Sequence, residues 1–154
     1  MANLFEGKVD IKTDSRYADD YVTLTQNGLG MSTGDVYFLC LILGYRNAMS
    51  VPSTDTKGKE FRPSYFRSLQ QNLLYGFALN LPDVSAEDMT DDKQIMRIYA
   101  EFSAYANGGM KWLRANVFAD RLSENGAIDA SAEDVILRLN QKIYDLLKPE
   151  VAPF

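Results

Sequence analysis

The chain contains no histidine and only one cysteine among its 154 residues. The absence of histidine removes the commonest general base, the Ser-His-Asp and Cys-His nucleophile systems, and most zinc and haem sites. The single cysteine, Cys40, cannot form an internal disulfide, which is typical of a protein from a reducing compartment. Because Cys40 lies in an apolar run, we expect it to be buried and inert. We therefore predict a protein that is not an enzyme, with no catalytic residue and no cofactor.

Long apolar runs are lacking as well. The longest, VYFLCLILGY at 36–45, has about half of the length that crosses a bilayer. The first ten residues, MANLFEGKVD, lack the basic region and apolar core of a signal peptide. The net charge of −5 gives no general attraction to nucleic acid or to an anionic membrane. We expect a cytoplasmic protein without a membrane partner.

The amino-acid composition is that of a folded chain. Apolar residues make up 46% and aromatic residues 12%, which argues against disorder. The length fits one domain, so we predict a single helical domain over residues 1–154. Helix signals dominate, and the fold class that they predict is all-α. We expect a compact bundle of five or six helices, one long ordered loop, and at most a short N-terminal strand or small hairpin.

The first two helices are predicted on either side of a glycine-rich turn. Within residues 14–28, apolar side chains recur at helical spacing until the glycines end the pattern. The second helix begins at STGD (Ser32–Asp35), which has the spacing of a capping box. The run 36–45 that follows is apolar on all sides, so we expect this helix to be buried.

Three further helices are predicted from their first residues. SLQQ at 68–71 is a second capping-box pattern, and it opens a helix to about Leu81, before Pro82. TDDK at 90–93 begins the next helix, and SAED at 131–134 caps a last one to about 148, where Pro149 closes it. The apolar face that we expect the 68–81 helix to turn towards the core contains Leu69, Leu73, Leu74, Phe77 and Leu81.

Two adjacent glycines lie inside the longest predicted helix, where they cost about 2 kcal/mol relative to alanine. The apolar stripe of this helix continues from Phe102 through Gly109 to Leu113. We therefore predict that Gly109 faces the core and lets the buried 36–45 helix approach closely through its own Gly44. Gly108 lies off the stripe, where it predicts a kink.

The longest irregular segment, residues 46–66, is expected to be an ordered loop or to contain a short hairpin turning at TKGK (56–59). Its end, KGKEFRPSYFRS at 57–68, alternates cations with aromatic rings, which can bind phosphate and stack on bases. In the alternative interpretation, the aromatic rings anchor the loop to the core and the cations are simply solvated. The candidate residues for binding nucleic acid or another anion are Lys57, Lys59, Arg62, Tyr65 and Arg67.

Three other features bear on function. Adjacent carboxylates lie near helix starts, so we expect them to cap and to be solvated, and we predict no metal site.

VDIK (9–12) predicts a short strand, and a strand before two helices is the order of ribbon-helix-helix DNA-binding dimers, a minor alternative. The apolar group formed by Trp112, Leu113 and Phe118 fits either a core or a dimer face, which leaves a homo-oligomer open.

Four short motifs occur along the chain: LGYRN (43–47), VP (51–52), KGKEFR (57–62) and YANGGM (105–110). In these motifs and their spacing, the chain resembles the Dnd system-associated proteins, which accompany bacterial DNA phosphorothioation and its linked restriction of phage. The resemblance covers about residues 14–118 and leaves the C-terminal helix, about 131–148, outside. The resemblance gives a structural role to eight motif residues: Gly44, Tyr45, Arg46, Asn47, Tyr105, Asn107, Gly108 and Gly109.

The resemblance implies an accessory protein of a bacterial DNA-modification and anti-phage defence system. Together with the missing catalytic residues and the acidic charge, it predicts a non-catalytic protein that contacts proteins of the same defence operon. The alternative is a DNA-binding or DNA-sensing module that uses the basic loop 57–67. Members of the family have a more basic loop where this chain has AMS at 48–50.

Overall fold

A computed structural model describes residues 4–6 and 9–147, with side chains to residue 145. The structure is mainly helical, as predicted, and its sheet has only two short strands. The expected closure of the last helix at Pro149 lies outside the described residues. The elements are β1 (Ile11–Lys12), α1 (Ala18–Leu24), α2 (Thr33–Arg46), β2 (Glu60–Phe61), α3 (Ser68–Leu79), α4 (Asp92–Asn116) and α5 (Ala132–Leu147), with short 3₁₀ turns at Ser15–Tyr17, Pro63–Tyr65 and Ala86–Thr90.

Two of the predicted helix starts are confirmed. At α2 the Asp35 N–H donates to Ser32 Oγ at 3.1 Å, and the Ser32 N–H donates to the Asp35 carboxylate at 3.0 Å. At α5 the Asp134 N–H donates to Ser131 Oγ at 3.2 Å. Each hydroxyl or carboxylate satisfies a donor that the first helical turn leaves without an intrahelical partner.

The other two starts differ from the prediction by about one residue. Ser68 is the first helical residue of α3 and not its cap. The cap is Arg67, whose N–H donates to the side-chain oxygen of Gln70 at 2.8 Å. At α4 the carboxylate of Asp91 accepts the Lys93 N–H at 3.2 Å, so the cap follows Thr90 by one residue. Such shifts are the usual uncertainty of a helix end read from sequence.

The predicted N-terminal strand is present, whereas the alternative of a short hairpin turning at 56–59 is not formed. Strand β1 pairs antiparallel with β2, so that Ile11 lies opposite Phe61 and Lys12 opposite Glu60. The Gly58 N–H donates to the Thr13 carbonyl at 3.1 Å, which ties the loop to the N-terminal segment. Because β1 spans two residues and pairs within its own chain, it does not form the intermolecular ribbon of a ribbon-helix-helix dimer.

The core forms around the crossing of α2 and α4. Six of the ten residues of the apolar run 36–45 in α2 are buried, Cys40 fully so, whereas Ile42 and Tyr45 are exposed. Leu113 and Phe118 are also fully buried, whereas Trp112 is partly buried with Lys142 Nζ 5.0 Å from its ring centroid. The group around Trp112 therefore belongs mainly to the core.

One predicted core face is partly wrong. Leu74, Phe77 and Leu81 are buried, but Leu69 is 70% exposed and Leu73 is 51% exposed. The five side chains span more of the helix circumference than a single contact face of about 100° can cover. The core therefore covers only one side of α3, and the leucines at its flank remain in solvent.

Within residues 4–6 and 9–147, no helix combines the length and the apolar character that a membrane span requires.

Candidate functional site

Two of the resembling motifs, LGYRN and YANGGM, meet where α2 crosses α4. A Cβ atom built on Gly109 would overlap the carbonyl oxygen of Cys40 and lie 2.8 Å from its Cα. A Cβ atom built on Gly44 would overlap the Tyr105 carbonyl oxygen and lie 2.9 Å from the Gly109 nitrogen. The predicted close approach of the two helices is therefore confirmed at both glycines. Neither position has space for a side chain.

Gly108 makes a second close approach, which the periodicity did not predict. Helix α4 continues unbroken from Asp92 to Asn116, through both glycines. A Cβ atom on Gly108 would overlap the Met49 carbonyl oxygen in the loop after α2. In the structure this glycine therefore provides a contact between α4 and the loop, and the kink stays a prediction.

Asn107 holds the same loop by its side chain. Its Nδ2 donates to the Val51 carbonyl at 2.9 Å and to Ser53 Oγ at 2.9 Å, and the residue is 3% exposed. The Val51 N–H in turn donates to the Ala104 carbonyl at 2.9 Å. The YANGGM motif thus forms a platform on which the VP motif is fixed.

The LGYRN motif ends α2 beside this platform. Asn47 Nδ2 donates to the Leu43 carbonyl at 2.8 Å, which satisfies an acceptor in the last turn. The ring of Tyr45 packs edge-on against Tyr105, with centroids 5.7 Å apart, while Arg46 is exposed. Apart from Arg46, the motif residues are used in packing and in holding the loop.

The second half of the loop is fixed by a buried carboxylate. Asp14 is fully buried and accepts hydrogen bonds from the Arg16 guanidinium at 2.8 and 3.0 Å and from the Thr54 N–H at 2.8 Å. Burial alone raises the pKa of Asp14, but the hydrogen bonds from Arg16 and Thr54 outweigh it and lower the pKa to about 2. Arg16 also donates to the Pro52 carbonyl at 2.9 Å. The loop is therefore ordered, as the sequence predicts.

The five candidate anion-binding residues are all exposed, but they do not form one cluster of free cations. Lys57, Lys59 and Arg62 make no ion pair with any other described residue. Arg67 is set apart from them because its guanidinium lies 3.3 Å from the Asp35 carboxylate at the start of α2. Tyr65 is 68% exposed.

The aromatic residues of the same stretch do not all support one interpretation, since two rings anchor the loop to the core and one is exposed. Phe61 and Phe66 are buried, with their rings packed edge-on at 5.3 Å, and they anchor the loop to the core. Tyr65 lies between them in sequence and turns outwards.

Cys40 offers no reactive thiol. Burial raises its pKa well above the ordinary value, and its Sγ lies 4.0 Å from Met110 Sδ. Among the described residues, no group of three or more carboxylate and cysteine side chains is placed to hold a metal ion.

A surface that the sequence prediction missed lies along α3. Helix α3 carries no charged residue, and no charge occurs from 68 to 82. Leu69 and Leu73, one turn apart, are exposed on this helix, and Tyr65 precedes them. The missing charge was the signal in the sequence, because an exposed helix ordinarily carries charged residues on its solvent side.

Helix α2 contacts α3 beside this surface. The Tyr45 and Phe77 rings are 4.8 Å apart, and Gln70 donates to the Asp35 carboxylate at 3.0 Å, so the two helices run side by side. Ile42 lies one turn before Tyr45, and it is also exposed. We call the set Ile42, Tyr45, Tyr65, Leu69 and Leu73 the α3 face.

In comparisons with known proteins, the chain matches no protein-family model, no curated protein and no solved structure. The family resemblance therefore rests on the four motifs, whose residues lie mostly at the crossing of α2 and α4 and in the loop that it holds.

Proposed function

We propose that this chain is a non-catalytic, cytoplasmic accessory protein of a bacterial DNA-modification and anti-phage defence system, and that it acts by binding another protein through the α3 face. One observation carries the proposal: Leu69 and Leu73 are exposed on α3, a helix without any charged residue, and the exposed Tyr65 precedes that helix. Exposed apolar side chains that form a contiguous patch mark interaction sites on proteins. The defence-system context comes from the four motifs.

The composition of the α3 face suits a protein interface. Interface centres are depleted of charged residues and enriched in aromatic ones, and Tyr45 and Tyr65 supply such rings. Two charged residues adjoin members of the set in sequence: Arg67, which is paired with Asp35, and Arg46, which is exposed. Specific contacts usually surround an apolar centre with such polar residues.

The non-catalytic part of the proposal is supported by the chemistry available. The chain has no histidine, and its one thiol is buried. The glycines of LGYRN and YANGGM are engaged in helix packing, and Asn107 holds the loop. Their arrangement serves the rigidity of the scaffold that presents the α3 face.

A capture experiment tests the proposal. Tagged protein expressed in its native host should retain a protein encoded in the same operon, and the double variant Leu69→Gln, Leu73→Gln should lose it. Leu137→Gln is the matched control, because Leu137 is 63% exposed on α5, away from the α3 face. If the double variant captured the same partner as the control, the α3 face would not be the contact.

A second function, DNA binding by the basic loop, is favoured by the exposed and unpaired cations Lys57, Lys59 and Arg62. Binding to a DNA duplex should then weaken with salt by a log–log slope of about −0.9 for each phosphate contact. Replacing the three cations with alanine should reduce that slope by up to about 3. Lys93→Ala with Lys111→Ala is the control on exposed lysines elsewhere. No mobility shift at low salt would exclude this function.

A further inference from the structure

Arginine is the only charged residue type in the two chain segments that carry the α3 face. The segment 36–54 contains Arg46 as its one charge, and the segment 61–82 contains Arg62 and Arg67. Neither segment contains an acidic residue, although the whole chain has a net charge of −5. The surroundings of the α3 face are therefore basic on a protein that is acidic as a whole.

Two of these arginines lie at opposite ends of the side of α2 that adjoins α3. Asp35, at the start of α2, lies 3.3 Å from the Arg67 guanidinium and accepts a hydrogen bond from Gln70 at 3.0 Å, so its side of the helix lies next to α3. Ile42 and Arg46 follow Asp35 at helical spacing, which places them on the same side. Eleven residues separate Asp35 from Arg46, which is about 16 Å of helix.

Both guanidinium groups keep N–H donors for a partner. Arg46 is exposed and makes no ion pair with any other described residue. The side chain of Arg67 is 72% exposed, and only its Nη2 contacts Asp35, whereas a guanidinium has five N–H groups. The nearest acid on the other segment, Glu60, lies opposite Lys12 in the sheet.

Gly76 extends the exposed row of α3. Leu69, Leu73 and Gly76 are spaced by four and three residues, so they lie on one side of the helix. Gly76 is exposed, and nothing lies within 4 Å of the position that its Cβ atom would take. Because this position has no side chain and open space outside it, another element can approach the main chain of α3 closely there.

The shape of the face suits a helix. Asp35 contacts Gln70 near the starts of α2 and α3, and the Tyr45 ring contacts Phe77 near their ends, so the two helices run in the same direction. The main-chain groups of both helices bond within each helix, so an extended strand finds no edge to pair with. A third helix packs by placing its row of side chains in the groove between two such neighbours.

We infer that the partner of the α3 face presents an amphipathic helix whose apolar stripe is flanked by acidic side chains. The stripe packs on Leu69 and Leu73 and passes closest to α3 at Gly76. The flanking carboxylates pair with Arg46 and Arg67. The leucine centre has no hydrogen-bonding group for phosphates or base edges, which favours a protein over a nucleic acid. This inference rests on the proposed function, because it names the partner of the same face.

The test is an amide NMR titration of the full chain with two synthetic helical peptides, each to about 1 mM. One is acetyl-EQQLQALLQQLEQQLQ-amide, whose glutamates have the spacing of Asp35 and Arg46, and the other has lysine in place of both glutamates. The acidic peptide should shift the amides of Leu69, Leu73 and Gly76 and bind at least about tenfold more tightly than the lysine peptide. Equal binding by both peptides, tighter binding of the lysine peptide, or no shift at these amides would overturn the inference.

Two pairs of protein variants locate the contact. Gly76→Trp fills the open space on α3 and should weaken binding of the acidic peptide at least about tenfold, whereas Ala115→Trp, at an exposed position near the end of α4, should not. Arg46→Gln should reduce the preference for the acidic peptide at least about threefold, and Lys93→Gln, an exposed cation at the start of α4, should leave it unchanged. Unchanged binding by Gly76→Trp, or an unchanged preference in Arg46→Gln, would contradict the assignment.

Two further outcomes separate this inference from its neighbours. A DNA duplex that shifted the same amides, and lost those shifts in Arg46→Gln, would assign the face to nucleic acid and overturn the inference. If the acidic peptide failed to bind while Leu69→Gln, Leu73→Gln still lost its partner in the capture experiment, the acidic helix would be wrong and the α3 face would stand. Capture retained by that double variant would reject the α3 face itself.

Discussion

Gly109 on α4 lies directly against the main chain of Cys40 on α2, so closely that any side chain at Gly109 would overlap the Cys40 carbonyl. Gly44 of α2 makes the reciprocal contact with Tyr105 of α4. The conformational cost of helix-interior glycine is offset by the packing that this close crossing allows. The crossing sets the position of the loop and of the surfaces that flank it.

The first prediction concerns this crossing. Gly109→Ala should lower the free energy of unfolding by about 3 kcal/mol, because the clash is with main chain that cannot rotate away. Gly76→Ala is the control: nothing lies within 4 Å of the position that its Cβ atom would take, so it should stabilise α3 by about 0.5–1 kcal/mol. Urea unfolding measures both, and a loss for Gly109→Ala below about 1 kcal/mol would contradict the packing account.

The second prediction concerns pH. Because the pKa of Asp14 is lowered to about 2 from about 3.9 in an unfolded chain, its ionised form stabilises the fold at neutral pH. Asp14→Asn should cost about 2 kcal/mol at pH 7, and this difference should shrink as the pH falls from about 4 to about 2. Asp129→Asn, at an exposed position, is the comparison. A pH-independent difference would show that the charge of Asp14 is not the cause.

The third prediction separates neighbouring leucines of α3. Leu74→Ala should cost about 2–5 kcal/mol, because Leu74 is fully buried. The double variant Leu69→Gln, Leu73→Gln should change stability by no more than about 1 kcal/mol, since both side chains are largely in solvent. Thermal unfolding compares them. A large loss in the double variant would mean that these leucines belong to the core.

The fourth prediction concerns the loop. Asn107→Ala removes the donor to the Val51 carbonyl and should increase hydrogen exchange at the Val51 amide by about tenfold or more. The control is Asn116→Ala, which removes an exposed bond to the Trp112 carbonyl within the last turn of α4. Unchanged exchange at Val51 in the first variant would show that the platform does not hold the loop.

Local signals predicted much of this fold. The capping pattern at Ser32–Asp35 located the start of α2. The helical period of the apolar residues in α4 placed Gly109 on the core side. Both signals are short-range features of the sequence. The pairing of β1 with β2 joins residues about 50 apart, and no local signal specifies such a partner. The same limit explains why a hairpin at 56–59 stood as an alternative to an ordered loop.

The surfaces were harder to predict than the core. Periodicity placed Leu69 and Leu73 with Leu74, but only tertiary packing decides which side of an apolar helix is covered. The basic stretch was identified from its composition, whereas the pairing of Arg67 with Asp35 depends on how α3 lies beside α2. Two of the motifs that carry the resemblance lie at the crossing of α2 and α4, where their glycines allow close helix packing.

The most direct test of the proposed function is site-specific photo-cross-linking in the native host. A benzophenone amino acid replaces Leu69 in one strain and Leu137 in another, two positions of similar exposure. The account predicts a single cross-linked product with a protein of the same operon from position 69 and none from position 137. The same set of products from both positions, or no product from position 69, would contradict it.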